Sequence, residues 1–323
     1  MTVPVNHQAA GLVAQGRVGE ALSLLEVAAG RNDPNALQEL AVWLLSGTRI
    51  RRNLAASRDF FRRAALAGHP EGARAFNAFL ANGTGGAADW GAALALLRGR
   101  AAADPRAEQE ARLIDTMALR ADGNPAEVPA GESLSSAPFV QLFPNAFTAV
   151  ECDFLIEASE PLMQPALTVD PSTGRQVSNP IRTSDAAAFP LMLESPAIHA
   201  LNRRIAALSD IAVTHGEPLQ VLRYRPGQQF RAHSDALPGT TSQRVATVLV
   251  YLNDGYEGGE TSFPSADLTI RGRRGDALLF RNVRANGRPD ERAVHAGLPV
   301  TRGVKLVASR WIRAQPLSLD APL

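Results

Sequence analysis

The chain contains one cysteine, Cys152, and no run of 18 apolar residues among its 323 positions. A single cysteine excludes an internal disulfide, and without a long apolar run no transmembrane helix is expected. Residues 1–15 lack the basic start and the long apolar core of a secretory signal, so no such signal is expected either. Together these absences predict a protein of the reducing cytoplasm that does not associate with membranes.

Lysine is almost missing as well. Lys305 is the only lysine among 33 Lys and Arg residues, so the other cations are all arginines. With 32 acidic residues the net charge is +1, which predicts no general attraction to nucleic acid or anionic membranes. The hydrophobic fraction of 45% and the charged fraction of 20% are typical of a globular protein. The length is sufficient for two domains.

Residues 1–120 are predicted to form an α-helical repeat region. Apolar residues between positions 37 and 45 follow the i, i+3, i+4, i+7 spacing of one buried helix face. Gly47-Thr48 recurs 36 residues later as Gly83-Thr84. A period of this length is typical of paired helices stacked as a solenoid. The region resembles Sel1-like or tetratricopeptide repeats, and it is expected either to bind a protein partner or to dock on the second domain.

A change in the pattern of apolar and turn-forming residues marks the start of the second domain. Residues 121–136 combine Gly and Pro with polar side chains and are predicted to be a linker. From 137 to 315 the pattern is one of short strands separated by Pro-Gly and Gly-Gly turns. Many short strands of this kind fit an open double sheet. The expected fold class is therefore α+β and multidomain, with helical repeats followed by a double-stranded β-helix, or jelly roll.

His233, Asp235 and His295 are candidate metal ligands. Residues two apart on a strand point to the same side, so His233 and Asp235 can present an imidazole and a carboxylate to one ion. His295 precedes the final predicted strand and can supply the third ligand. Two imidazoles and one carboxylate without thiolates suit iron(II), and also manganese or zinc. Three protein ligands leave positions open for a cosubstrate and dioxygen.

The same periodicity places the single lysine in an interior cavity. Lys305 and Trp311 share one face of the final strand, as Thr247 and Tyr251 do on the strand over 245–252. Tyr224 points inward from an earlier strand. A buried lysine needs a counter-charge, because unpaired burial is costly or shifts its pKa. No acidic residue stands obviously ready for it, whereas a bound carboxylate would satisfy it.

Three segments resemble the core of prolyl 4-hydroxylases, which are 2-oxoglutarate- and Fe(II)-dependent dioxygenases. They are QVLRYRPGQQFRAHSD at 220–235, RVATVLVYLN at 244–253 with EGGET after it, and the stretch that runs from HAGLPV at 295–300 through Lys305 to Trp311. They occur in the order and spacing of that family, and the resemblance spans about 137–315. It implies that His233, Asp235 and His295 bind Fe(II).

The resemblance also implies a cosubstrate pocket. Lys305 would pair with the distal carboxylate of 2-oxoglutarate, and Tyr224 and Thr247 would add hydrogen bonds at that end. Tyr251 and Trp311 would line the pocket. Dioxygen would be the second cosubstrate, and ascorbate would restore oxidised iron. The implied reaction decarboxylates 2-oxoglutarate to succinate and carbon dioxide.

A further set of residues matches positions that bind peptide in the family. They are Arg182, Ser184, Glu217 and Arg244, together with Phe230, which stands where some members carry a tyrosine. Residues 165–185, with a turn at Ser172-Thr173-Gly174, resemble the mobile segment that folds over the peptide. The set implies hydroxylation of a peptidyl proline at C4.

Three alternatives remain open at the level of the sequence. A related oxygenase acting on a free amino acid or another small molecule would use the same iron and cosubstrate residues. A binding protein would recruit a partner through its helices and carry an inert oxygenase domain. A jelly-roll metal hydrolase would leave Lys305 unexplained.

Overall fold

The computed structural model describes residues 3–169, 176–178 and 181–317. The chain forms two compact units. The first comprises the residues up to Asp115 together with Pro190–His199, and the second comprises Thr116–Phe189 and Ala200–Leu317. None of the helices in the described ranges combines the length and the hydrophobicity that a bilayer-spanning segment requires.

Within the described residues, the first part of the chain forms seven helices, and some of them begin 36 residues apart. They are α1 (Val5–Ala14), α2 (Val18–Gly30), α3 (Pro34–Ser46), α4 (Leu54–Leu66), α5 (Pro70–Asn82), α6 (Trp90–Arg100) and α7 (Pro105–Thr116). α3 and α5 begin 36 residues apart, as do α4 and α6. Gly47 and Gly83 end α3 and α5 with φ of 70° and 77°, a left-handed conformation that glycine adopts without steric cost. The helical region is confirmed, while its assignment to a repeat family stays a prediction.

The elements that follow the helices are mostly short strands. They are β1 (Glu132–Ser136), β2 (Phe139–Phe143), α8 (Ala149–Ser159), β3 (Gln164–Pro165), β4 (Leu167–Val169), β5 (Gln176–Ser178), β6 (Asp185–Phe189), α9 (Pro196–Ser209), β7 (Leu219–Tyr224), β8 (Phe230–His233), β9 (Arg244–Tyr251), β10 (Tyr256–Gly258), β11 (Thr261–Phe263), β12 (Leu268–Ile270), β13 (Ala277–Arg281), β14 (His295–Gly297), β15 (Val300–Gly303) and β16 (Lys305–Arg313). An eight-stranded sheet has the order β1-β2-β13-β9-β16-β7-β6-β3, and a four-stranded sheet has the order β12-β11-β14-β8. The predicted double-sheet fold class is confirmed.

The larger sheet directs the predicted pocket residues to one side. β16 lies between β7 and β9, and its register pairs Lys305 with Tyr224 and Trp311 with Thr247. Directly paired residues in antiparallel strands point to the same face. β9 has the sequence RVATVLVY, whose β-branched residues suit a central strand that is covered on both faces.

The smaller sheet carries both candidate imidazole ligands. β8 and β14 are antiparallel neighbours, and His233 and His295 are directly paired. A hydrophobic core lies between the two sheets: Phe263 on β11 packs edge-on against Phe280 on β13, with ring centroids 5.1 Å apart. The interior of the double sheet thus receives side chains from both predicted sets.

The structure differs from the sequence-based expectations at three places. Glu132–Ser136, which was expected to be linker, pairs with β2 as the edge strand of the larger sheet. β8 ends at His233, so the expectation that His233 and Asp235 share a strand is wrong. The expected turn at Ser172-Thr173-Gly174 lies outside the described residues. The domain boundaries at 120 and 137 stay a prediction.

Candidate metal and cosubstrate site

His233, Asp235 and His295 converge between the sheets. One ligand atom from each of the three side chains lies within 4.8 Å of the others. The Nε2 atoms of His233 and His295 are 3.5 Å and 3.7 Å from the two carboxylate oxygens of Asp235. Although Asp235 follows β8 rather than belonging to it, the turn brings its carboxylate back to the paired histidines.

Backbone carbonyls set which nitrogen of each imidazole faces the cluster. Nδ1 of His233 lies 2.8 Å from the carbonyl of Arg231, and Nδ1 of His295 lies 3.1 Å from the carbonyl of Ala293. Because a carbonyl only accepts, Nδ1 must carry the hydrogen in both rings. Each Nε2 is then a free lone pair directed at the other ligands, which is how a metal-binding histidine is usually held.

The electrostatics of the cluster favour the deprotonated ligand forms. Burial lowers the pKa of His295 to about 4, although the nearby Asp235 opposes the shift. Burial alone would raise the pKa of Asp235, but the adjacent His295 and His233 and the Thr247 hydroxyl hold it well below its usual range. At neutral pH His295 is therefore neutral and Asp235 is ionised, and both can act as ligands.

The three side chains fit a divalent metal ion. Ligand bonds of about 2.0–2.2 Å place neighbouring ligand atoms roughly 3–4 Å apart, close to the separations in this cluster. The donor set of two imidazole nitrogens and one carboxylate is the facial set of non-haem iron(II) oxygenases.

Thr247 lies beside the ligand carboxylate. Its hydroxyl donates to Oδ2 of Asp235 at 2.6 Å, and it accepts from Nδ2 of Asn282 at 3.0 Å. Thr247 was expected to contact the distal end of 2-oxoglutarate. In the structure its one hydrogen is directed at Asp235, and a contact with the cosubstrate stays a prediction.

Lys305 is a buried ammonium with little internal charge compensation. It is 4% exposed, and Nζ donates to the carbonyl oxygen of Gly259 at 2.6 Å. Burial lowers its pKa to about 8, and Glu260 opposes this shift. Within the described part of the chain Lys305 forms no ion pair at 4.0 Å or less. A buried cation held by one neutral acceptor leaves donor hydrogens available to a bound carboxylate.

Aromatic side chains surround the ammonium. Nζ of Lys305 lies 5.6 Å from the ring centroids of both Tyr224 and Tyr251. The hydroxyl of Tyr251 lies 2.9 Å from the hydroxyl of Thr261, so this phenol has a partner inside the protein. Burial raises the pKa of Tyr224, and the nearby Arg182 and Ser184 oppose the shift. The roles predicted for Tyr224 and Tyr251 towards a cosubstrate stay predictions.

A stack of three side chains borders the metal cluster. The Phe230 ring is parallel to the His233 ring, with centroids 3.5 Å apart, and the guanidinium carbon of Arg182 lies 5.4 Å from the Phe230 centroid. Nε of Arg182 donates to Ser184 Oγ at 3.3 Å. The structure thus brings together three residues of the predicted substrate set and places Phe230 directly on His233, a candidate metal ligand.

The other two residues of that set form an ion pair. Arg244 donates from Nε and Nη2 to the Glu217 carboxylate at 2.7 and 2.8 Å, and Arg313 donates to the same carboxylate at 2.6 Å. The guanidinium carbon of Arg244 lies 3.7 Å from the Trp311 ring centroid. Glu217 is therefore already engaged by two arginines, and it holds Arg244 flat on Trp311.

Sequence reasoning missed Asn282 and Arg313. Arg313 could have been predicted from the sequence, because this residue lies two positions beyond Trp311 on β16. The alternation of sides along a strand places Arg313 and Trp311 on one face. Asn282 follows β13 and is separated from the apolar run over 277–280 by Arg281, so no periodic signal identifies it as a site residue. Its contact with Thr247 depends on the pairing of β13 with β9.

Comparisons with known proteins agree with this geometry. The family model described as the 2OG-Fe(II) oxygenase superfamily matches residues 219–313. Prolyl 4-hydroxylase 1 of Arabidopsis thaliana is 35% identical over 206 residues, which cover 58% of this chain and 73% of the relative. Probable prolyl 4-hydroxylase 9 of the same plant is 34% identical over 244 residues, which cover 65% of this chain and 85% of the relative.

A solved structure is similar at a lower level. The 2-oxoglutarate complex of a viral collagen prolyl hydroxylase from Paramecium Bursaria Chlorella virus-1 is 27% identical and superposes with a TM-score of 0.44. The similarity covers 56% of this chain and 99% of that chain.

Proposed function

This chain belongs to the prolyl 4-hydroxylase family of 2-oxoglutarate- and iron(II)-dependent dioxygenases, and from that membership we propose that it hydroxylates proline within a peptide, at C4. Iron(II) is its cofactor, 2-oxoglutarate and dioxygen are its cosubstrates, and ascorbate is typical of the family. The observation that carries the proposal is the meeting of two sheets: the smaller one presents two imidazoles beside Asp235, and the larger one presents a buried Lys305.

The side chains of the protein provide position and charge. His233, Asp235 and His295 would hold the iron. When bound, iron with 2-oxoglutarate and dioxygen supplies the oxidising chemistry, in which one oxygen atom enters the substrate and 2-oxoglutarate yields succinate and carbon dioxide. Lys305 would fix the distal carboxylate of the cosubstrate through charge-assisted hydrogen bonds. The burial of Asp235, His295 and Lys305 (4%, 5% and 4% exposed) keeps water away from the reacting groups.

The wall that faces the substrate supports a peptide rather than a small molecule. Arg182 packs against Phe230 and Arg244 lies on Trp311, so two cations are each held on an aromatic ring. Guanidinium groups suit backbone carbonyl oxygens as hydrogen-bond acceptors, and aromatic rings suit the apolar proline ring. Phe230 offers a face but no hydroxyl to this surface.

A comparison of peptide and free proline tests the proposal. With iron(II), 2-oxoglutarate and ascorbate present, a proline-rich peptide is expected to stimulate succinate release and to gain 16 Da at proline, whereas free proline at the same concentration is not. The mass change follows from the insertion of one oxygen atom. If free proline stimulates succinate release and the peptide does not, a small-molecule oxygenase is favoured. If no succinate is released with the peptide, with free proline or without a substrate, an inert domain is favoured.

The pH dependence of 2-oxoglutarate binding is expected to report Lys305. Its pKa of about 8 means that the ammonium is charged below pH 8 and is lost as the pH rises through that value. The KM for 2-oxoglutarate should therefore be flat from pH 6.5 to 7.5 and rise about tenfold per pH unit well above 8. His295, with a pKa of about 4, does not titrate in this range.

Steady-state kinetics between pH 6.5 and 9.5 measure this effect, and Lys305→Arg is the matched control. Arginine stays charged throughout, so the KM of this variant for 2-oxoglutarate should not rise at alkaline pH. An equal alkaline rise in both proteins would assign the titration to another group.

The helices before the catalytic unit are proposed to bind a protein partner. The proposal is supported by the 36-residue spacing of paired helices, since stacked helix pairs form extended binding surfaces. A cytoplasmic location likewise stays a proposal, which rests on the sequence alone.

A further inference from the structure

Asn282 is a buried amide two hydrogen bonds away from the metal cluster. It is 1% exposed and its Nδ2 donates to Thr247 Oγ1 at 3.0 Å. Its backbone is held on both sides, because its N–H donates to the Val245 carbonyl at 2.9 Å and its carbonyl accepts from the Asp290 N–H at 3.0 Å. The position of the amide is therefore set by the chain around β13 and β9 and not by the metal ligands.

The directions of the hydrogen bonds that link Asn282, Thr247 and Asp235 follow from the charge of Asp235. An ionised carboxylate only accepts, so the single hydroxyl hydrogen of Thr247 must point to Asp235. The Thr247 oxygen is then available only as an acceptor. Asn282 must consequently present its NH2 group, and not its carbonyl oxygen, to Thr247. Asn282 therefore donates to Thr247 and Thr247 donates to Asp235, and no other arrangement satisfies the three groups.

Stability alone gives no reason for an amide at this position. Oδ1 of Asn282 is buried and has no hydrogen-bond partner among the described residues. A buried acceptor without a partner costs about 1–3 kcal/mol, and an apolar side chain of similar shape would avoid that cost. An amide kept under such conditions points to a requirement for its donor hydrogen.

We infer that Asn282 is a positioning residue for the metal centre. By donating to Thr247 it fixes the hydroxyl hydrogen on Oδ2 of Asp235, which orients the carboxylate towards the two Nε2 atoms. The inference rests on the metal centre of the proposed function and is independent of the substrate. Groups that orient a ligand from outside the coordination sphere typically change metal affinity by about 10- to 100-fold.

A double-mutant cycle on metal affinity tests this role. Asn282→Leu removes the donor and Thr247→Val removes the hydroxyl, both with little change of shape. The metal-free full-length protein is titrated with cobalt(II), which takes the same nitrogen and carboxylate ligands and is followed by its visible absorption. Each single variant is expected to raise the Kd by about tenfold or more. The double variant should bind no more weakly than Thr247→Val alone, because Asn282 acts through that hydroxyl.

Controls separate positioning from loss of the fold. Asn202 on α9 is also 1% exposed, and Asn202→Leu is expected to leave the Kd unchanged. Thermal unfolding of each metal-free variant monitors the fold, and Asn282→Ala carries the same expectation if leucine does not fit. An unchanged Kd in a folded Asn282 variant, or losses that add in the double variant, would overturn the inference. Because the titration contains no 2-oxoglutarate or peptide, a failure of proline hydroxylation would leave its result intact.

Discussion

His295→Ala is expected to abolish succinate formation and to weaken metal binding by roughly 100- to 1,000-fold. The estimate follows from four-ligand zinc sites, whose binding free energy of about 10–16 kcal/mol corresponds to about 2.5–4 kcal/mol for each ligand. Among the described residues, no group of three or more potential metal ligands other than His233, Asp235 and His295 comes together, so no other side chain can replace His295. Its backbone pairing with His233 remains in the variant, so the smaller sheet should persist.

Cobalt(II) titration and succinate release measure the two effects of His295→Ala. The ring also packs against Phe280, with centroids 4.5 Å apart, so circular dichroism and thermal unfolding of the metal-free variant are needed to exclude loss of the fold. His7 is exposed, and His7→Ala is the matched control with unchanged affinity. A folded His295→Ala protein that turned over at ordinary iron concentrations would remove His295 from the ligand set.

Lys305→Ala is expected to raise the KM for 2-oxoglutarate by about 10- to 150-fold while leaving metal affinity nearly unchanged. A hydrogen bond to a charged group contributes about 1.5–3 kcal/mol, which converts to that factor. The selectivity follows from the geometry, because Lys305 bonds to Gly259 and makes no hydrogen bond to His233, Asp235 or His295 in the described structure. The substitution should therefore weaken the binding of 2-oxoglutarate and not the binding of the metal.

A further variant, Lys305→Met, separates the charge of Lys305 from its packing. The stem of Lys305 lies among buried aromatic side chains, so alanine also removes apolar contacts. Lys305→Met keeps most of the stem without the charge and should match alanine in its KM. A KM for Lys305→Met near that of the unaltered protein would assign Lys305 a packing role. Equal losses of 2-oxoglutarate and metal affinity would instead mean that Lys305 supports the fold of the whole site.

Local periodicity accounts for what could be predicted about the larger sheet. The inward face of the strand that carries Lys305 and Trp311 follows from alternation along one strand, and the same holds for Tyr224 and Thr247 on their own strands. The inward face of each strand was therefore predictable separately, and the structure adds only the register in which neighbouring strands pair. The strand predicted over 245–252 is observed as β9, Arg244–Tyr251.

The smaller sheet could not be predicted in the same way. β8 and β14 have four and three residues, too few for a periodic pattern to stand out. Asp235 lies outside β8, and its approach to His233 is a property of the turn. The identity of the ligands was nevertheless accessible, because the resemblance of the surrounding segments does not depend on strand assignment.

The sequence by itself determined which candidate groups are present: two histidines and an aspartate suited to a metal ion, one lysine suited to a diacid, and aromatic and arginine side chains suited to a peptide. Only the tertiary structure decided which of these groups are already bonded to one another. In it the Thr247 hydroxyl donates to Asp235, and the Glu217 carboxylate accepts from two arginines. The physical reason is that alternation and composition are local properties of a single strand. A hydrogen bond between distant segments forms only if strand register, sheet packing and side-chain rotamer together place the two atoms correctly to within about half an ångström.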